Sequence, residues 1–314
     1  GVDQRVADSI EPYLELQTAT VARYRLPFQD DRYILQGIAA DPSGEVLMSM
    51  YYAAKDLDST CSEEPYVIHS LIVGFDPCTS EVTRTIMLEG PSGQTNRAHV
   101  GGLAVDGVHQ NAWTTHSSAS GTVLARYDLT DLGISTSVID FVSGDLAPGG
   151  EPRTLRATET VSLDAECGAS YMSFDQENKQ LWIGSFSTGD EAPICVFEID
   201  EDGRLGPRIA RWLLPVSKVQ GILALPDGRA LLSRSYGDAS SGLYAWTPGS
   251  SSAEKVLSGP AGFEDLSWSP EGLIWTGSES GGRYFQKRFS ENVFCGPGWG
   301  DLYPYVFALD PSQF

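Results

Sequence analysis

The stretch QGILALPDGRALLSRSY, residues 220–236, decides how the rest of the chain is read. An apolar run, a Pro-Asp-Gly turn and a second apolar run describe two strands joined tightly. The phrase recurs as QGIAADPSGEVLMSMYY (36–52), GGLAVDGVHQNAWTTH (101–116), SYMSFDQENKQLWIGSF (170–186) and EDLSWSPEGLIWTGSE (264–279). Self-similarity of this kind is the signature of a propeller or repeat array. The expected fold is therefore all-β, a five-bladed β-propeller, with six blades as the alternative count.

Outward from each copy, two more strands complete a four-stranded blade. Residues 70–77 and 81–88 serve the first, and 122–129 and 135–142 the second. Residues 194–200 and 206–214 serve the third, and 242–248 and 253–259 the fourth. The fifth copy ends after YVFALDP (305–311), so its last strand is expected from the N-terminus, where TATVARYRLP (18–27) has the right pattern. Closing a ring with both ends of the chain removes the open sheet edge. One domain is expected over residues 1–314, with 1–17 as a short helix or arm.

The composition narrows the partners. Forty-two acidic against 21 basic residues give a net charge of −21. Nucleic-acid backbones and anionic membranes both need clustered Lys and Arg, so neither is an expected partner. No apolar run approaches the roughly 20 residues of a membrane span. The chain begins GVDQRV without a charged-then-apolar leader, so a signal peptide is expected to be absent or already removed. Of the five cysteines, Cys61 and Cys78 flank one strand of the first blade, and Cys167 and Cys195 bracket two strands of the third. Both pairs are expected to be disulfides, with Cys295 left over. That places the protein in an oxidising, extracellular setting as a secreted monomer.

The long segments 53–69, 143–169 and 280–304 all fall on one face of such a ring, and the opposite turns are short. Long connections of this kind are usually binding loops. On the same face, the starts of the inner strands supply Gln36, His99, Ser170, Gln220 and Glu264 above apolar neighbours. A pocket with a few convergent polar groups is built in this way. The alternative is that these groups bond neighbouring backbone. Tyr51, His116, Arg234, Tyr236, Glu279 and Arg283 form a wider ring that suits a glycan or another small polar ligand.

The phrases HVGGLAVDG (99–107), KVQGILALPDGRALLSRSYG (218–237) and FEDLSWSPEGLIWTGSESGGRYF (263–285) resemble a group of secreted, largely actinobacterial β-propeller proteins. The resemblance implies a secreted propeller and highlights His99, Gln220, Arg234 and Glu264. At the level of fold the chain is also similar to the five-bladed calcium-activated nucleotidases, whose centre is richer in carboxylates.

Two chemistries follow from the residues. Glu264 among apolar walls should hold a raised pKa, and with His99 it forms a candidate acid/base pair for a hydrolase or lyase. Glu279 is the candidate second carboxylate. Gln36, Ser170 and Gln220 would orient the substrate, and Arg234 or Arg283 would bind an anionic group of it. Alternatively Glu264 is a metal ligand, with Ca2+ as the cofactor in place of none. The contrasting class is a non-enzymatic glycan-binding propeller, in which aromatic residues such as Tyr51 dominate.

Overall fold

The computed structural model describes residues 2–26, 33–52, 69–118, 121–132, 153–164, 166–189, 192–281 and 302–314. Five sheets form a five-bladed β-propeller. The chain opens with two short helices, α1 (Val2–Ile10) and α2 (Leu14–Ala19), and then β1 (Thr20–Arg25). Blade 1 follows as β2 (Tyr33–Ala40), β3 (Val46–Tyr52), β4 (Leu71–Asp76) and β5 (Glu81–Glu89). Blade 2 begins with β6 (Ala104–Asp106), β7 (Asn111–Ser118) and β8 (Gly121–Asp128). Next, β9 (Arg153–Arg156) returns to blade 1 and adds a fifth strand parallel to β5. Blade 2 is completed by β10 (Glu159–Val161), antiparallel to β8.

Blade 3 runs β11 (Tyr171–Asp175), β12 (Gln180–Gly184), β13 (Pro193–Ile199) and β14 (Leu205–Leu213). Blade 4 runs β15 (Val219–Ala224), β16 (Ala230–Arg234), β17 (Ser241–Trp246) and β18 (Ala253–Gly259). Blade 5 is β19 (Phe263–Trp268), β20 (Ile274–Ser278) and β21 (Tyr305–Leu309). The ring closes as the sequence leads one to expect, with β1 antiparallel to β21 and Arg23 opposite Phe307.

One expected strand is corrected. The outer strand of blade 2 among the described residues is Glu159–Val161, and the stretch 135–142 lies outside them. Hydrogen bonds from Thr158 N and Oγ1 to the Arg126 carbonyl dock this short strand onto β8. Three residues are too few for a period-2 pattern to stand out.

The apolar side chains sort into five buried clusters, one per seam between blades. In β4, Leu71, Val73 and Phe75 enter the seam with blade 5, while Ile72 enters the seam with blade 2. In β12, Leu181 and Ile183 face blade 2 and Trp182 faces blade 4. Successive strand residues point to opposite faces, and both faces of a blade are buried, so these strands read as continuous apolar runs. The two helices add Ile10, Leu16 and Ala19 to the seam between blades 4 and 5.

The repeated turn residue on the short-loop face has a local job. Asp41 Oδ1 accepts from the amides of Ser43 and Glu45, and Asp106 Oδ1 from those of Val108 and His109. Asp175 and Asp227 cap their own turns in the same manner. These aspartates are consumed by turn geometry.

The disulfide Cys167–Cys195 ties the lead-in of β11 to β13, with Cα atoms 5.9 Å apart. The other expected pairing is corrected, because Cys78 is an exposed free thiol. It sits in the turn after β4, its N–H bonded to Asp76 Oδ1 at 2.7 Å. Cys61 and Cys295 lie outside the described residues. No helix among the described residues is long and apolar enough to cross a membrane.

Candidate functional site

Three of the five inner strands carry a β-bulge at the same level. In β2 the register with β3 steps from Leu35 to Gly37 and leaves Gln36 unpaired. In β15 it steps from Val219 to Gly221 and leaves Gln220. In β19 it steps from Phe263 to Leu266 across Glu264 and Asp265. An extra residue re-aims its side chain out of the pleat, which is why bulges gather at functional rims. Here the re-aimed side chains meet.

Gln36 Nε2 donates to Glu279 Oε2 at 3.2 Å and to its neighbour's carbonyl, Leu35 O, at 2.8 Å. Gln220 Nε2 donates to Glu264 Oε1 at 3.5 Å. The carboxyls of Glu264 and Glu279 lie within hydrogen-bonding reach of each other and are coupled through that contact. Glu279 follows β20 at the start of a 3-10 turn, pinned by its own N–H to Gly262 O at 2.8 Å. Both carboxyls are buried. Burial, then the neighbouring Glu279 and Asp265 charges, hold the Glu264 pKa well above the ordinary 4.5. Burial also lifts Glu279, to about 8, against the pull of donors from Gln36 and Glu264. The pair therefore keeps a proton through neutral pH and titrates as a unit.

Asp265, the next residue in the bulge, turns a fully buried carboxyl the other way. Its Oδ2 accepts from Leu103 N of blade 2 at 3.0 Å, and its buried Oδ1 has no hydrogen-bond partner among the described residues. Burial raises its pKa and nearby backbone amides, Leu103 first, lower it, the balance being upward. One side chain thus ties the inner strand of blade 5 to the lead-in of blade 2.

Beneath this layer the inner strands of adjacent blades approach closely through their backbones. A Cβ at Gly101 would lie 2.1 Å from Ser170 O, and one at Gly102 2.3 Å from Met172 N. At Gly37 it would lie 2.5 Å from Leu103 N, and at Gly221 2.7 Å from the Asp265 Cα. The glycines of the repeated phrase are the residues that let adjacent inner strands touch.

The remaining candidates fall into separate places. His99 is exposed and stacks on Tyr51 with ring centroids 3.8 Å apart. Glu279 is the titratable group coupled to Glu264, in the place the sequence offered to a second carboxylate. Ser170 is half-buried at the start of β11, its N–H on Gly184 O. His116 is buried beside Gly90 in the seam of blades 1 and 2, and burial lowers its pKa. Arg234 ends β16 with Nε on Ser217 O at 3.1 Å. Tyr236 is half exposed, 5.9 Å from the Phe186 ring. Arg283 lies outside the described residues. Lys218, whose ammonium covers the Tyr236 ring at 4.8 Å, is a further member that inner-strand alignment passes over. It stands one residue before β15 begins.

Among the described residues, no three His, Cys, Asp or Glu side chains group so as to hold a metal ion. A cavity of about 540 Å³ opens on the short-turn face, lined by Ala40, Ala104, Phe174, Ala224 and Trp268. The carboxyl pair belongs to the other mouth, where inner strands begin and second strands end.

No known family matches the chain, and no curated protein matches it. Solved structures with a similar fold are β-propeller proteins at low identity. One is the PQQ-bound aldose sugar dehydrogenase of Streptomyces coelicolor, 16% identical over 83% of this chain and 79% of that one, TM-score 0.42. Another is a putative 6-phosphogluconolactonase from Bacteroides uniformis, 15% identical over 78% of each chain, TM-score 0.37. A third is the β-propeller domain of the Trilobed protease from Pyrococcus furiosus, 11% identical over 78% of this chain and 64% of that one, TM-score 0.35. These likenesses bear on the fold alone.

Proposed function

We propose that the chain is a secreted enzyme of the hydrolase or lyase type, acting on a carbohydrate-like substrate at the loop-rich mouth of the channel. The observation that carries this reading is the buried Glu264–Glu279 pair, hydrogen-bonded and steadied by Gln220 and Gln36. Two carboxyls in contact divide the work, one ionised as base and the other protonated as acid. Burying such a pair serves folding poorly, since apolar residues of equal volume would pack there at no desolvation cost. The disulfide Cys167–Cys195 supports the extracellular setting.

The contact also bears on which chemistry fits. Glycosidases place their two carboxyls about 5–9.5 Å apart, on either side of the sugar. Carboxyls within hydrogen-bonding reach of each other act from one side, removing and returning protons on the same face of a substrate. Calcium fits the pair poorly. Both glutamine amides present N–H donors to oxygens that already share a proton, whereas calcium wants six to eight oxygen ligands.

The test is turnover of neutral and acidic oligosaccharides, followed by new reducing ends and by the ultraviolet absorbance of unsaturated products. Glu264→Gln should lower kcat by about 10²–10⁴ while its melting temperature stays close to that of the parent. A wild-type protein inert on every substrate would sink the enzymatic reading. A glycan binder would keep its affinity in Glu264→Gln and lose it in Tyr51→Ala, where the His99 stack is removed.

A further inference from the structure

Charge is distributed unevenly over this acidic molecule. Several arginines away from the channel mouth sit on carboxylates, among them Arg126 on Glu159 at 2.7 Å, Arg208 on Asp164 at 2.8 Å and Arg229 on Asp227 at 2.7 Å. At the mouth, on blade 4, Lys218 and Arg234 have no carboxylate partner among the described residues. Lys218 lies over Tyr236, and Arg234 bonds a backbone carbonyl. In a chain of net charge −21, two cations on neighbouring strand ends with no carboxylate partner among the described residues suit an anion.

The backbone holds this site in a costly conformation. Lys218 has φ +64°, a region that side chains other than glycine, asparagine and aspartate seldom adopt. Two bonds fix it there, Lys218 N to Ser187 O at 2.7 Å and Ser235 N to Lys218 O at 3.0 Å. Strain that its surroundings over-determine is a mark of functional placement. The same bonds lead to the carboxyl pair. Ser235 Oγ accepts from Gly262 N at 3.0 Å, and Gly262 O accepts from Glu279 N at 2.8 Å. Lys218 and Gln220 are two residues apart, about 7 Å of strand. Above them, Tyr236 and Phe186 bring a half-exposed aromatic surface from two adjacent blades.

We infer that the substrate is an acidic sugar, a uronate within a glycan, whose carboxylate sits on Lys218 and Arg234 while its ring lies against Tyr236 and Phe186. This rests on the enzymatic reading above and decides between its two reaction types. With the carboxylate neutralised, the proton on the adjacent ring carbon becomes acid enough to remove. Ionised Glu279 takes that proton, and the C–H electrons form the C4=C5 double bond. The C4–O bond breaks, and its oxygen receives the proton of Glu264. The products are a new hydroxyl end and an unsaturated uronate, with no water consumed.

Calorimetric binding of a trigalacturonate, a sulfated trisaccharide and a neutral trisaccharide, each to wild type, Lys218→Asn, Tyr236→Ala and Glu264→Gln, tests this. Asparagine tolerates the left-handed backbone, so that variant removes charge without breaking the turn. The expected result is uronate binding that is salt-sensitive and about tenfold weaker in Lys218→Asn. Neutral binding should be unaltered by that variant. Glu264→Gln should bind uronate and fail to release unsaturated product. Equal affinity for neutral and acidic sugars, or an unchanged Lys218→Asn, would overturn the inference. Preference for the sulfated sugar would overturn the uronate assignment. Turnover of neutral sugars alone would overturn it while leaving the enzymatic reading intact. Lys218-dependent uronate binding by a wild type that turns nothing over would uphold the subsite and refute the elimination together with the enzyme.

Discussion

At the starts of their inner strands, blades 1, 4 and 5 turn polar side chains out of the pleat, and blades 2 and 3 make close backbone contact instead. The first three insert one extra residue near the start of the inner strand, and Gln36, Gln220 and the Glu264–Asp265 pair leave the pleat there. Blade 3 pairs β11 with β12 without interruption from Tyr171 to Asp175. Blade 2 approaches as Gly101 and Gly102, pressed against Ser170 and Met172, before its short inner strand begins. A single inserted residue per strand thus separates a blade that aims polar side chains out of the pleat from one that packs backbone against its neighbour. The contrast implies that substitutions in the two groups should fail in different ways.

The largest effect is expected in the backbone group. Gly102 has φ +71° and would place a Cβ 2.3 Å from Met172 N, so Gly102→Ala meets both strain and an immovable backbone atom. About 3 kcal/mol is expected, seen as a lower midpoint in urea. Gly228 has φ +84° with nothing within 4 Å of the added carbon. Its alanine variant should lose only the left-handed cost of about 1–2 kcal/mol. Equal losses at the two glycines would mean that close approach at the channel is not what blades 2 and 3 contribute.

Next comes the place where the two groups are joined. Asp265 belongs to a bulge, yet its carboxyl accepts from Leu103 N of blade 2. Asp265→Ala strands that buried amide and empties the carboxyl's place, and should cost about 1–3 kcal/mol of stability by denaturant unfolding. Asp265→Asn keeps an acceptor and should cost less. If the alanine variant unfolds within about 1 kcal/mol of wild type, apolar seams alone hold the blades together and the link is incidental.

How far this contrast could be read in the sequence depends on what each part needed. Paired apolar runs around Asp/Pro/Gly turns were enough for the blades and for the N-terminal strand that closes the ring, because both faces of every blade are buried. The outer strand of blade 2 was not legible, since Glu159–Val161 is too short to show a period. Aligning the inner-strand starts aligned Gln36, Gln220 and Glu264, which share the bulge. The same count added His99, which precedes the short inner strand of blade 2 and lies against Tyr51. Bulges follow from register, and register is a property of two strands. The one local hint was the polar–glycine step in QGI, repeated in blades 1 and 4.

The smallest effect is a titration, and it examines whether the bulged blades act together. Glu279 has a folded pKa raised from 4.5 to about 8, so the folded state holds a proton that the unfolded chain has released. Stability from this group is therefore complete below about pH 4.5 and declines as pH climbs towards 8, the folded form binding more protons throughout that window. Turnover should run the opposite way, rising as Glu279 ionises to become the base. Gln36 donates to Glu279 Oε2 from the neighbouring blade and thereby favours the ionised form. Gln36→Leu removes that donor without adding charge, so the acid limb of the kcat profile should move to higher pH. One neutral hydrogen bond is worth about 1 kcal/mol, so the shift should stay under one unit and turnover at pH 7 should fall by less than about tenfold. A limb that stays in place would mean that blade 1 holds the carboxyl in position without tuning its charge. The dyad would then be the work of blade 5 alone.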